Sequence, residues 1–391
     1  MISLSTMEAR RFLLAYHFSP GTIGEVFERL GTVQYDPLNP VGRNSDLVLQ
    51  ARISDYRVDD WQQYAYRQRL AYDAWDKQAC LVPTSTWAER ALIRERYHPW
   101  HDRDILDAFP DLMAVALREI DVRGPLCSLD FADRTRAPEG HSWYGPTRIK
   151  RILRALWARG VLVTHHRDGV RHYYDRPERV IPGEHFCREP LLDESAYHRW
   201  IVLQRHRATG FMRPRADLAI WSVCGDAPTR ANAIAALVRD GELIPVEVGE
   251  RKSLFHMPAE SEPLLNAPPA APVMRFLAPL DNLIWDRNAL RDVFGFDYVW
   301  EVYKRSPDRV WGYYVLPVMF GDRFVGRFDS RVENGVWMVT RWWWEDGEPQ
   351  ADVLHALPDA ASRFLFYLGA TTIGAGEGVD AITREALRLA E

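Results

Sequence analysis

The chain has 391 residues, a formal net charge of −5, 47% hydrophobic and 26% charged residues, with 15 Trp, 16 Tyr and 16 Phe. At roughly 100 to 200 residues per domain this length predicts about two to four domains, and the aromatic content excludes disorder over most of the chain. The start of the chain carries Glu8, Arg10 and Arg11 with no apolar leader core, and no run of about 18 charge-free apolar residues occurs anywhere, so the reading is neither secreted nor membrane-spanning.

Two helices open the chain. Ser5 and Glu8, then Thr22 and Glu25, form S/T-x-x-E capping boxes, each followed by apolar residues at helical spacing, and Gly31 stops the second helix before a strand-like run at 32–35. The tract T-V-Q-Y-D-P-L-N-P-V-G-R-N at 32–44 follows. In an extended backbone Gln34 and Asp36 face one way and Tyr35 the other, after which two prolines hold a loop. An amide beside a carboxylate is a minimal kit for hydrolysis: one orients a water, the other takes its proton or stabilises positive charge. Taken alone the triplet is weak, and a purely structural role stays open.

Four cysteines, Cys80, Cys127, Cys187 and Cys224, lie at least 37 residues apart, which fits reduced thiols better than a disulfide or zinc framework. A helix at 112–121 precedes a second helix opened by Pro146, with Ile149, Ile152, Leu153, Leu156 and Trp157 on one face and Gly160 at its end. Runs at 161–166 and 170–174 then form a hairpin around Asp168-Gly169. A third copy pairs a helix at 216–223 with another from Thr229 to its stop at Gly241, followed by strands at 243–248 and 253–257. Helix, glycine, two-stranded wing is the winged-helix pattern.

A net negative chain is a poor phosphate binder, but the charge is segregated. From Trp143 to Arg179 nine basic residues face three acidic ones, +6, leaving −11 elsewhere. Arg148, Lys150, Arg151 and Arg154 form the outer helix face, and the wing adds His165, His166, Arg167, Arg171 and His172, so DNA contact is expected there. Those histidines lack Cys or carboxylates at ligand spacing, so no metal is expected.

Prolines 258, 263, 268, 269 and 272 read as a linker. Strand-like runs at 298–303, 311–317, 323–328 and 335–343 then predict an antiparallel β domain, closed by a helix at 359–367. The glycines 374, 376 and 378 read as a loop, and Trp342, Trp343 and Trp344 as core and edge packing.

The ordered set Gln34-Tyr35-Asp36, A-C-L-V-P at 79–83, L-D-N-L-I-W-D-R at 280–287, G-Y-Y-V-L-P at 312–317 and V-G-R-F-D at 325–329 resembles the AlkZ/YcaQ (AlkX)-like tandem winged-helix DNA glycosylases, in their Asp-bearing branch. Two departures stand out: Lys77 and Gln78 where the family commonly has His-Glu, and Asn282 where it has Pro. The expected fold is α+β, with tandem winged-helix (helix-turn-helix) domains and a C-terminal antiparallel β domain. The segments are 1–105 with the catalytic loop, 106–185 basic, 186–260, and 261–391.

The resemblance implies hydrolysis of the N-glycosidic bond of N7-alkylated purines, and unhooking of interstrand crosslinks, with Asp36 and Gln34 catalytic. Arg43 and Asn44 join the residues named above as DNA contacts. Neither metal nor other cofactor is implied. The partner is double-stranded DNA with alkylated or crosslinked purines, and the expected state is a cytoplasmic, nucleoid-associated monomer. A non-catalytic winged-helix regulator explains the repeats and the basic segment equally well, but not the Gln34 and Asp36 pair set ahead of prolines.

Overall fold

The computed structural model describes residues 1–97, 103–136, 147–388 and 390; Trp143 and Pro146, the expected helix opener, lie outside the described residues. In chain order, β1 (Ile2–Leu4) leads into α1 (Thr6–Phe18), α2 (Ile23–Leu30), β2 (Val33–Gln34), α3 (Asn44–Gln50) and the single turn α4 (Asp60–Gln62). Strands β3 (Ala71–Trp75) and β4 (Ala79–Pro83) precede α5 (Arg103–Ala108), α6 (Pro110–Arg123) and α7 (Arg148–Ala158). Then come β5 (Val163–Asp168), β6 (Arg171–Asp175), the short α8 (Pro177–Val180) and α9 (Gly183–Phe186), α10 (Glu194–Thr209), α11 (Ala227–Arg239), β7 (Leu243–Val248) and β8 (Ser253–Pro258). The remainder is β9 (Met274–Phe276), α12 (Arg287–Phe294), β10 (Val315–Phe320), β11 (Arg323–Glu333), β12 (Val336–Trp344), α13 (Ala351–Leu368), β13 (Thr372–Gly378) and α14 (Ala381–Arg388). The chain packs as two compact units, Met1–Trp61 with Ile201–Glu391, and Gln62–Trp200. These limits follow packing, whereas the four sequence segments follow motifs.

In the first unit both capping boxes form, and Gly31 ends α2 in the left-handed region at φ 66°. The N-terminus does not fold by itself: β1 pairs in parallel with β7, Ile2 opposite Val246, completing a sheet in the order β1-β7-β8. Phe12 of α1 stacks on Phe211 at 4.4 Å between ring centres. The expected helix at 216–223 is instead a run of turns ending at Val223 with φ 59°. Asp226 caps α11, accepting from the Thr229 amide at 2.9 Å.

The second sheet runs β13-β12-β11-β10-β9, with Phe276, Phe328 and Trp337 packed on Phe364 of α13. Three expectations change here. The run 298–303 is not a strand, while β9 forms just past Pro272, the last proline of the expected linker. The glycine run is the edge strand β13, parallel to β12, because a Cβ at Gly376 would lie 2.9 Å from the Thr340 carbonyl oxygen and glycine alone fits. The final helix starts two turns before Pro358 and runs through it. Trp342 is core, stacked on Phe328 at 4.8 Å, and the Trp344 indole donates to Thr383 Oγ1 at 2.8 Å.

The second unit has two apolar clusters. Ile149, Ile152, Leu153 and Leu156 bury the inner face of α7 against Ala116 and Ile120 of α6. Tyr72, Val82, Trp87, Val163 and Ile181 form the other, under the β5–β6 hairpin. That hairpin turns at Gly169, φ 58°, as the Asp-Gly pair requires. All four cysteines are free thiols, Cys187 exposed and the others buried.

Candidate active site

Residues 32–46 are built into the first unit by local and distant contacts. Gln34 is buried at the end of β2, and Tyr35 packs edge-on against Trp61 at 6.0 Å. Asp36 comes next, partly exposed. Its Oδ1 accepts from the Leu38 amide at 2.9 Å, an Asx turn that fixes the carboxyl plane, and it has no other hydrogen bond among the described residues. Burial raises its pKa, opposed by that amide. One carboxylate oxygen is therefore left for water or substrate.

The loop is then tied down twice by the C-terminal part of the unit. The Val332 amide of β11 donates to the Pro40 carbonyl at 2.8 Å, and the Tyr367 hydroxyl of α13 donates to the Val41 carbonyl at 3.0 Å. Gly42 has φ 93°, and a Cβ there would fall on the Tyr367 hydroxyl. Both facts demand glycine.

The two expected DNA contacts in this tract are committed inside the fold. Asn44 is 1% exposed: its Nδ2 donates to the Gln34 carbonyl at 2.8 Å and its Oδ1 accepts from the Leu280 amide at 3.0 Å. Arg43 is buried and pairs with Asp59 at 2.7 Å. Beneath them Asp46 accepts from the Arg43 amide (3.1 Å), the Tyr56 hydroxyl (2.8 Å) and the Asp59 amide (2.7 Å). Burial outweighs these bonds and lifts its pKa to about 6. As placed, Arg43 and Asn44 position the loop.

Sequence reasoning identified the 280–287 motif but not its work. Asp281 forms a two-pronged pair with Arg52 at 2.7 and 2.9 Å, both side chains fully buried. Asn282 donates from one amide to the Thr32 carbonyl (3.0 Å) and the Ala208 carbonyl (3.1 Å), holding the strand two residues ahead of Gln34. Asp286 caps α12 and pairs with Arg213, and Arg287 donates to the Pro279 carbonyl at 2.6 Å. The G-Y-Y-V-L-P and V-G-R-F-D stretches also meet: Asp329 accepts from the Tyr313 and Tyr314 amides at 3.0 and 3.3 Å. Tyr314, which no sequence motif marks individually, lies within electrostatic reach of Asp36. Its buried hydroxyl has no hydrogen-bond partner among the described residues, and burial followed by the charge of Asp36 raises its pKa well above the phenolic value.

A family model described as DNA glycosylase AlkZ-like matches residues 27–366, a span that includes the whole loop and its supports. The chain belongs to the AlkZ-like DNA glycosylase family. The structure of Streptomyces sahachiroi DNA glycosylase AlkZ is similar in fold, with a TM-score of 0.63 and 15% identity, covering 97% of this chain and 100% of that one. The activity class is DNA glycosylase and the substrate is DNA. No helix among the described residues is long and apolar enough to cross a membrane.

The basic segment of the second unit divides in two. Lys150 and Arg171 are exposed, and Arg151 and Arg154 are partly exposed on the side of α7 opposite its apolar face, while Arg148 lies over the Phe109 ring at 4.5 Å, at the edge of that apolar cluster. Arg167 is not available: it is buried, ion-paired with Asp73, and donates to the Tyr66 hydroxyl at 2.9 Å. His165 and His166 sit ring to ring, Nδ1 to Nδ1 at 2.8 Å. Burial and then Arg69 push the His165 pKa down to about 4 and lower that of His166. Both are neutral at neutral pH, so as expected DNA contacts they offer hydrogen bonds and no charge. Arg176 pairs with Asp121 at 2.7 Å, and Arg179 with Asp175 at 3.2 Å. Lys77, where the family has His, is buried, and the neighbouring Gln78 is exposed at the β3–β4 turn. Among the described residues no group of three His, Cys, Asp or Glu side chains is placed to hold a metal.

Proposed function

We propose that this chain is a monofunctional DNA-repair glycosylase that hydrolyses the N-glycosidic bond of N7-alkylated purines and unhooks interstrand crosslinks made through them. Asp36 is the catalytic carboxylate and Gln34 its partner. An N7-alkylated purine is cationic and leaves as a neutral base, so the leaving group needs no general acid; the barrier lies in the oxocarbenium-like sugar and in placing water. The supporting observation is the Asp36 carboxylate itself, partly exposed, oriented through one oxygen by the Leu38 amide, with the other oxygen left to receive a proton from water or to face developing positive charge. The helix–hairpin units act as winged helices on duplex DNA, with α7 and its wing contacting phosphates. The enzyme works as a monomer in the cytoplasm, at the nucleoid.

The test is base release from duplexes carrying N7-methylguanine, and separately a nitrogen-mustard crosslink, with wild type and Asp36→Asn. Wild type forms abasic sites; Asp36→Asn binds DNA and loses about 10² to 10³ in rate. Because burial raises the Asp36 pKa and the ionised form is the active one, the acid limb of the pH–rate profile lies above the ordinary carboxylate value of 3.8. Full excision by Asp36→Asn overturns the assignment, and binding without release from either lesion favours the regulator reading.

A further inference from the structure

Within the first unit, the turn after α3, strand β9 and α13 enclose a cleft of about 110 Å³. Its wall contains three guanidinium groups, Arg52, Arg275 and Arg363, and no Asp or Glu. Arg52 is neutralised by Asp281. Neither of the other two has an ion-pair partner within 4 Å among the described residues.

Arg275 is partly buried over the Phe18 ring at 4.6 Å, with a single long hydrogen bond to the Val273 carbonyl at 3.4 Å. Arg363, exposed at the rim, gives one bond to the Met274 carbonyl at 2.9 Å. Asp359, one turn back on α13, acts on it only electrostatically. Burial, then Arg363 and Arg52, bring the Arg275 pKa down to about 10. A guanidinium has five donors and strongly prefers a planar oxyanion partner. Arg275, desolvated beside two further guanidiniums and with one long hydrogen bond, is held there at a cost to stability. Such a cost is typical of a ligand site.

We propose that this cleft binds a phosphate group, its oxygens held by Arg275 and Arg363 with the Ser54 hydroxyl at the rim. The proposal stands on the cleft and not on the glycosylase chemistry. The same chemistry is offered by a phosphodiester of a DNA strand and by free phosphate. Tyr56 and Tyr367 line the same cleft; Tyr367 also holds Val41 of the loop that carries Asp36, and Tyr56 holds Asp46 in the first turn of α3 that follows it, so an occupied cleft bears on the catalytic loop from behind.

The experiment titrates inorganic phosphate into the full chain at constant ionic strength, chloride being the counter-series, and follows heat and melting temperature. Saturable stabilisation by phosphate is expected. Arg363→Gln, an exposed change that leaves the fold intact, and Arg275→Gln weaken it about ten-fold or more, and Arg363→Lys keeps part of it. In a second arm, undamaged duplex affinity is measured with and without saturating phosphate. Competition, together with weaker duplex binding by Arg363→Gln, assigns the site to a DNA phosphate; duplex binding indifferent to both assigns it to the free anion. Equal phosphate binding by wild type and Arg363→Gln overturns the proposal. So does the absence of saturable phosphate binding with duplex affinity unchanged in that variant.

Discussion

The Tyr367 hydroxyl donates to the Val41 carbonyl at 3.0 Å, so the helix that closes the C-terminal sheet ends on the loop that carries Asp36. Gly42 lies directly beside that bond. Gly42→Ala places a methyl where φ is 93° and where the hydroxyl already stands, and is expected to cost about 2 kcal/mol or more. Tyr367→Phe costs about 1 kcal/mol. In urea denaturation the double variant loses less than the sum, since removing the hydroxyl makes room for the methyl; strict additivity counts against the clash.

Asn282 stands at the first position of a short 3-10 turn, where proline is sterically tolerated. Asn282→Pro nonetheless removes the amide shared by the Thr32 and Ala208 carbonyls, leaving buried acceptors unpaired at a cost of about 1 to 3 kcal/mol. A melting temperature equal to or above wild type would show that the amide is dispensable and that the departure from the family is neutral.

Charge removal in the basic segment separates folding from binding. Arg167→Gln leaves the buried Asp73 with the Tyr66 hydroxyl but without its cation, so the expected loss is about 3 to 5 kcal/mol of stability. Lys150→Gln and Arg171→Gln leave melting unchanged and each lowers the slope of log affinity against log salt for duplex DNA by about 0.9. Unchanged slopes in both would move the phosphate contacts off α7 and its wing.

Acid should unfold the first unit through its histidines. His17 accepts from Arg52 at Nδ1 (3.3 Å), so Nε2 donates to the Thr209 carbonyl at 3.0 Å, the neutral ring form. Burial first of all lowers the pKa of His17 and of His206 to about 3. Unfolded, both take a proton near pH 6.5, so their stabilisation is complete above 6.5 and is lost as pH falls toward 3. Asp46, raised to about 6, works oppositely between 6 and 3.8, favouring the folded state as it protonates. With His17 and His206 acting against Asp46, acidification from pH 6.5 toward 5 is expected to lower stability. Denaturation midpoints at pH 7.5, 6 and 5 check the sign, and a midpoint that rises on acidification would give Asp46 the larger share.

What is local in this chain was legible in its sequence. The boxes Ser5-Glu8 and Thr22-Glu25, the stop at Gly31 and the Asp168-Gly169 turn act over a few residues, and the structure forms each of them. The amide–carboxylate tract at Gln34 and Asp36 was likewise visible, because alternation and proline are written in consecutive positions. Tertiary structure alone decided the rest. Strand β1 finds its partner in β7 across more than 240 residues, and the glycines of β13 become a strand only because β12 lies against them. Arg167, Arg43 and Asn44 read as surface contacts by residue type, yet Asp73, Asp59 and the carbonyl of Gln34 claim them. Charge and hydrogen-bonding capacity belong to the residue, but whether they face DNA or the interior depends on partners that no local pattern names.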